Sequence, residues 1–76
     1  MTQITRWAEL FAYPLGTVFV DNMGDAWMLD HYVPIEHLGA MPYLIAPETR
    51  AMAASLVLNK YGPLEIAYVP NERGLW

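Results

Sequence analysis

The chain has 76 residues, no cysteine, eight acidic and four basic side chains, and a formal net charge of −4. One domain over residues 1–76 is expected, since the length is too short for two, and a domain this small buries only about 60% of the surface its unfolded chain exposes. Without cysteine, disulfides and thiolate metal sites are excluded as supports, which leaves self-association. The cations Arg6, Arg50, Lys60 and Arg73 are scattered singly, so no basic cluster exists to neutralise a phosphate backbone and no nucleic-acid partner is expected.

Hydrophobic residues make up 55% of the chain and charged residues 16%, against roughly 25% charged in an average soluble protein. Some apolar side chains must therefore lie outside the core, and a contiguous apolar patch on a small domain marks a partner surface. Met1–Trp7 lacks the basic start and apolar run of an export signal, and no apolar run reaches the roughly 18 residues of a membrane-spanning helix. The expected compartment is the cytoplasm, with no membrane partner.

In chain order, Ile4, Trp7, Ala8, Leu10 and Phe11 recur at three and four, which predicts a short helix from Ile4 to Phe11 ended by Tyr13-Pro14. Thr17–Asp21 and Asp25–Asp30 flank Asn22-Met23-Gly24 and predict a β-hairpin, with Gly24 left-handed in the turn and the Asp21 carboxylate capping it. That register pairs Val20 with Ala26, Phe19 with Trp27 and Val18 with Met28. Both faces of the ribbon are then apolar, so it is either covered twice or keeps one face for a partner.

His31 to Met41, broken by Pro34 and Gly39, reads as the end of the second strand followed by a loop, and Tyr43-Leu44-Ile45 as a short edge strand between Pro42 and Pro47. Pro47 to Tyr61 predicts a helix: Pro47 suits its first position, Glu48 the positive end of its dipole and Lys60 the negative end, and Gly62-Pro63 stops it. Leu64–Val69 alternates as a strand that Pro70 ends. The fold class is α+β: a small antiparallel sheet on a central hairpin, flanked by a short N-terminal helix and a second helix before the last strand.

Residues able to carry chemistry are few. Asp30, His31, Glu36 and His37 place two imidazoles and two carboxylates within eight residues, a candidate metal site if the loop between them folds back. The alternative reading is ordinary surface polarity. Asp21, Asn22 and Asp25 lack the ligand spacing of a calcium loop and are accounted for by the turn. Ser55, the only serine, falls inside the predicted helix without a glycine-rich elbow, so no nucleophilic site is indicated. Neither an enzyme nor a cofactor is expected.

The aromatic content, 13%, is the better lead, because interface hot spots favour Trp, Tyr and Arg. Trp7 and Trp27 are expected in the core, whereas Trp76, the last residue of the chain, docks on its own domain or on another subunit. Candidate partner-binding residues are Phe19, Met28, Tyr32, Tyr43, Tyr68 and Trp76, which are large and lie on strands or a terminus with no evident cover.

The stretch Leu15-Gly16-Thr17-Val18-Phe19-Val20-Asp21-Asn22-Met23-Gly24-Asp25-Ala26-Trp27 resembles small uncharacterised accessory proteins of actinobacterial phages (mycobacteriophage-like), which carry proline, glycine and threonine, a strand, an acidic turn with Gly-Asp, and a tryptophan. The close of Leu56 to Tyr68, a helix ending in Tyr61-Gly62-Pro63 before a strand, is similar. The resemblance implies a phage protein acting in the host cytoplasm and carries over no functional residue. The expected function is a non-enzymatic protein–protein interaction module that binds or inhibits a host protein and self-associates as a homo-oligomer. A metal-stabilised protein using Asp30, His31, Glu36 and His37, or a minor structural subunit, are the alternatives.

Overall fold

A computed structural model describes residues 3–37 and 39–70. Among them, six strands form one antiparallel sheet in the order β1-β6-β2-β3-β4-β5: β1 is Gln3–Ile4, β2 Val18–Val20, β3 Ala26–Ile35, β4 Gly39–Ile45, β5 Met52–Ala53 and β6 Leu64–Tyr68. A 3₁₀ helix, Trp7–Ala12, joins β1 to β2, and α1, Ala54–Tyr61, carries the chain from the β5 edge back to β6. The fold is thus the α+β sheet, with a helical turn near the N-terminus and a helix before the last strand, that the sequence predicts.

The central hairpin has the expected register, Val20 opposite Ala26, Phe19 opposite Trp27 and Val18 opposite Met28. Its turn requires a residue at positive φ, which Gly24 supplies at +87°. The Asp21 carboxylate holds the turn: Oδ1 accepts the N–H groups of Met23 and Asp25 at 2.8 and 2.9 Å, and Oδ2 accepts the Trp27 indole N–H at 2.9 Å. Asn22 ties the same turn to the end of α1, donating its N–H to the Tyr61 carbonyl and its side-chain amide to the Gly62 carbonyl, both at 2.9 Å.

Alternation along the strands puts one set of side chains into a single core. Ile4, Phe19, Trp27, Leu29, Leu44 and Leu64 from the sheet meet Leu10 of the 3₁₀ helix and Ala54 and Val57 of α1. Trp27 stacks on Tyr61, and Tyr13 meets the face of Phe19 edge-on. The first helical segment is displaced from its predicted span, since Ile4 belongs to β1 and pairs with Leu64. Six residues confined between a strand and Pro14 wind as 3₁₀, and Glu9 caps them by accepting the N–H groups of Thr5 and Arg6 at 2.9 and 3.2 Å.

Three expectations fail between His31 and Ala53. The chain does not break at Pro34 or Gly39: β3 runs to Ile35 and β4 starts at Gly39, and these strands pair along their length with a bulge at Asp30. Pro34 and Pro42 sit where their strands lie beyond the ends of β2 and β5, so each strand has one paired neighbour and can spare an N–H. Tyr43–Ile45 is consequently not an edge, because β5 pairs outside it at Tyr43 and Leu44. The helix begins at Ala54 rather than Pro47. Thr49 N–H donates to the Ala46 carbonyl at 3.1 Å and Glu48 has φ of +66°, so Pro47 and Glu48 fill the central positions of a type II turn.

Candidate functional site

Both helices send their buried residues into the core, on one face of the sheet. The strand neighbours of the core residues point to the other face. Registers across four strands bring Tyr68 of β6, Val18 of β2, Met28 of β3 and Ile45 of β4 into one row. At strand spacings of about 4.8 Å the row is roughly 14 Å long. Met28 is 38% exposed and Tyr68 48%, while Val18 and Ile45 are half-buried.

Beside this row lies Glu65-Val20-Ala26 on one flank and His31-Tyr43-Ala53 on the other. The His31 and Tyr43 rings stack at 5.2 Å between centroids, and His31 Nδ1 lies 2.7 Å from Asp30 Oδ2. The type II turn rises next to Met28 and Ile45. Between them is a groove of about 500 Å³, lined by Val18, Ala26, Met28, Ile45, Pro47 and Glu48 among others. Aromatic, β-branched and methionine side chains at this spacing give a flat, adaptable apolar surface suited to packing against another apolar surface.

Other depressions have different walls. One of about 430 Å³, reaching Asp21, Asp25, Trp27 and Tyr61, adjoins the groove across Pro47. Another of about 570 Å³, between the 3₁₀ helix and α1, is lined by Arg6, Trp7, Ser55 and Asn59. In the first, the Asp21 carboxyl is occupied by its own chain. Burial pushes that carboxyl up, and the Trp27 indole with the N–H groups of Asp25, Met23 and Gly24 outweighs burial and holds it below its ordinary value.

Of the residues singled out from sequence, Met28, Tyr43 and Tyr68 lie on the uncovered face. Phe19 does not: it is fully buried, because the pleat turns it with Trp27 into the core, and it cannot contact a partner. Tyr32 faces the helical side, stacked on Phe11 at 5.4 Å, with Trp7 edge-on to Phe11 at 6.0 Å. Trp76 lies outside the described residues.

Asp30, His31, Glu36 and His37 do not converge. Asp30 and His31 form one contact within β3, and Glu36 and His37 form another at its far end, with N to O 3.5 Å. The strand between holds His31 and Glu36 roughly 16 Å apart at 3.3 Å per residue. Among the described residues no group of three or more His, Cys, Asp or Glu could hold a metal ion. No helix among them is long and apolar enough to cross a membrane.

Sequence reasoning misses Val18, Ile45, Glu48 and Glu65 as members of this surface. The predicted hairpin register already places Val18 beside Met28, but extending the row to Ile45 and Tyr68 requires knowing that β4 and β6 flank the hairpin. No family model matches the chain, and neither a curated protein nor a solved structure matches it.

Proposed function

We propose that the protein is a non-enzymatic protein–protein interaction module that presents the uncovered sheet face, centred on Tyr68, Val18, Met28 and Ile45, to another protein or to a second copy of itself. The observation that carries this reading is the four-strand apolar row with no helix of the described residues over it. A domain with few charges gains little by leaving such a row in water, and burial against a partner gives back about 25 cal/mol for each Å² of apolar surface removed.

The face is favoured over the sheet edges as the contact. Edge strands β1 and β5 have two residues each, and the open margins of β3 and β4 contain Pro34 and Pro42. Short edges and prolines without a donor N–H oppose strand addition by a partner. The resemblance to phage accessory proteins supports a host protein as the partner, in which case binding modulates that protein in the host cytoplasm.

The test is light scattering across a concentration series, together with capture of binding proteins by wild type and by Met28→Lys. Met28→Lys is expected to keep the wild-type far-ultraviolet circular dichroism and to lose the dimer or the captured partner by at least tenfold in affinity. Unchanged association in Met28→Lys and in Tyr68→Ser, with both variants folded, overturns the reading.

A further inference from the structure

The charge around the uncovered face is one-sided. Glu65 stands beside Val20 in the register of β2 and β6, and Glu48 forms one wall of the groove. Asp30 is exposed at the bulge of β3, on the strand that carries Met28. Of the cations among the described residues, two lie on the helical side and one follows the turn. Arg6 precedes the 3₁₀ helix and lines the depression against α1, Lys60 is in the last turn of α1, and Arg50 is exposed beyond the turn without lining the groove. Among the described residues the ion pairs within 4.0 Å are the two histidine–carboxylate contacts, so neither Glu48 nor Glu65 is paired with a lysine or arginine of those residues.

Glu48 is also held where the backbone makes any side chain costly to keep. Its φ of +66° occupies the turn position that glycine or asparagine fills at lower cost. The backbone there could be relaxed by a glycine, and the chain instead keeps a charged side chain at the rim of the groove.

From this we infer that the occupant of the face is a different protein, whose apolar contact residues are flanked by lysine or arginine, and not a second copy docked by the same face. The inference rests on the interaction reading above and adds the chemistry of the partner. In a two-fold contact between identical faces residue i of one copy meets j of the other and j meets i, so two faces carrying the same acidic rim are brought together with no lysine or arginine of the described residues paired to Glu48 or Glu65 to offset it. Such like-charge contacts oppose association, whereas a basic rim on the partner converts them to attraction and speeds encounter at low salt.

The test is selection from a displayed library of random-sequence peptides against the wild-type protein, discarding peptides that also bind Met28→Asp. The Met28-dependent peptides are expected to combine apolar residues with an excess of Lys and Arg over Asp and Glu, and to bind about tenfold more weakly when salt is raised from low to physiological concentration. Their affinity should fall again by about tenfold in the Glu48→Lys, Glu65→Lys double variant, which leaves the apolar row intact. Met28-dependent peptides that are neutral or acidic, or whose binding survives charge reversal, overturn the basic partner while leaving the face as an interface. A salt-insensitive dimer of wild type that Met28→Asp abolishes also overturns it. Selection of peptides none of which depends on Met28 overturns the face itself, and this inference with it.

Discussion

The two faces of the sheet are built from the same strands, and the central hairpin is apolar on both, yet the helices of the described residues close only one face. Phe19 and Val18 are neighbours in β2, as are Leu29 and Met28 in β3; Phe19 and Leu29 are fully buried, whereas Met28 is more than a third exposed. Hydropathy does not separate the two sets. What separates them is where the connections run: the 3₁₀ helix and α1 both place Leu10, Ala54 and Val57 over the Phe19 side. A side chain of the same chemical kind is thus a stability residue on one face and a contact residue on the other.

The most direct way to break that comparison is to delete matched side chains. Phe19→Ala removes a fully buried ring that touches Tyr13, and truncations of this kind cost about 3–5 kcal/mol, comparable to the whole stability of a domain this size. The variant is expected to be largely unfolded at room temperature by near-ultraviolet circular dichroism. Met28→Ala is expected to cost less than about 1 kcal/mol in urea denaturation, since the residue leaves a partly solvated surface rather than a cavity. Equal losses at the two sites would mean that the second face is covered in solution.

Asp21 sharpens the comparison from the covered side, where a polar group holds the edge of the core. In Asp21→Asn the amide can still accept from the turn, but its NH₂ meets the Trp27 indole N–H donor to donor, at a cost of about 1.5–3 kcal/mol. The pH dependence follows from the carboxyl being held below its ordinary value in the fold. Its stabilisation is complete above the unfolded-chain value of about 3.9 and is lost as pH falls through the lower folded value. Urea midpoints measured at about pH 6 and about pH 3 should therefore drop further for wild type than for Asp21→Asn.

The parts of this arrangement that local chemistry decides are legible in the sequence. Asp21-Asn22-Met23-Gly24 permits a single register for the hairpin, and Gly62-Pro63 ends α1 after Tyr61 as expected. The parts decided by pairing at a distance are not. Pro47-Glu48 is as good a helix start as it is a type II turn, and the outcome depends on Met52 and Ala53 pairing with Leu44 and Tyr43. Pro34 reads as a strand breaker only as long as the open margin of β3 is unknown. For the candidate site, Met28, Tyr43 and Tyr68 are recognisable by size and strand placement, but Phe19 is misassigned because alternation does not say which face the helices cover.

The smallest expected effect tests whether the uncovered face is maintained against stability. At Glu48 the left-handed backbone costs a non-glycine residue of the order of 1 kcal/mol, so Glu48→Gly should relieve strain. Glycine is also freer in the unfolded chain, and that entropy offsets part of the gain, leaving an expected stabilisation of about 0.5 kcal/mol in urea denaturation. Nothing in the core depends on the carboxylate, which lies exposed on the groove wall. If the variant is more stable and binds the basic peptides several-fold less well, the turn sacrifices stability to keep a charge beside the apolar row. If it is more stable and binds equally, Glu48 has no role at the surface and the attraction for a basic rim falls to Glu65 and Asp30. If it is less stable, the turn is not strained at Glu48 and the distinction between a relaxed core face and a maintained outer face does not extend to this corner of the sheet.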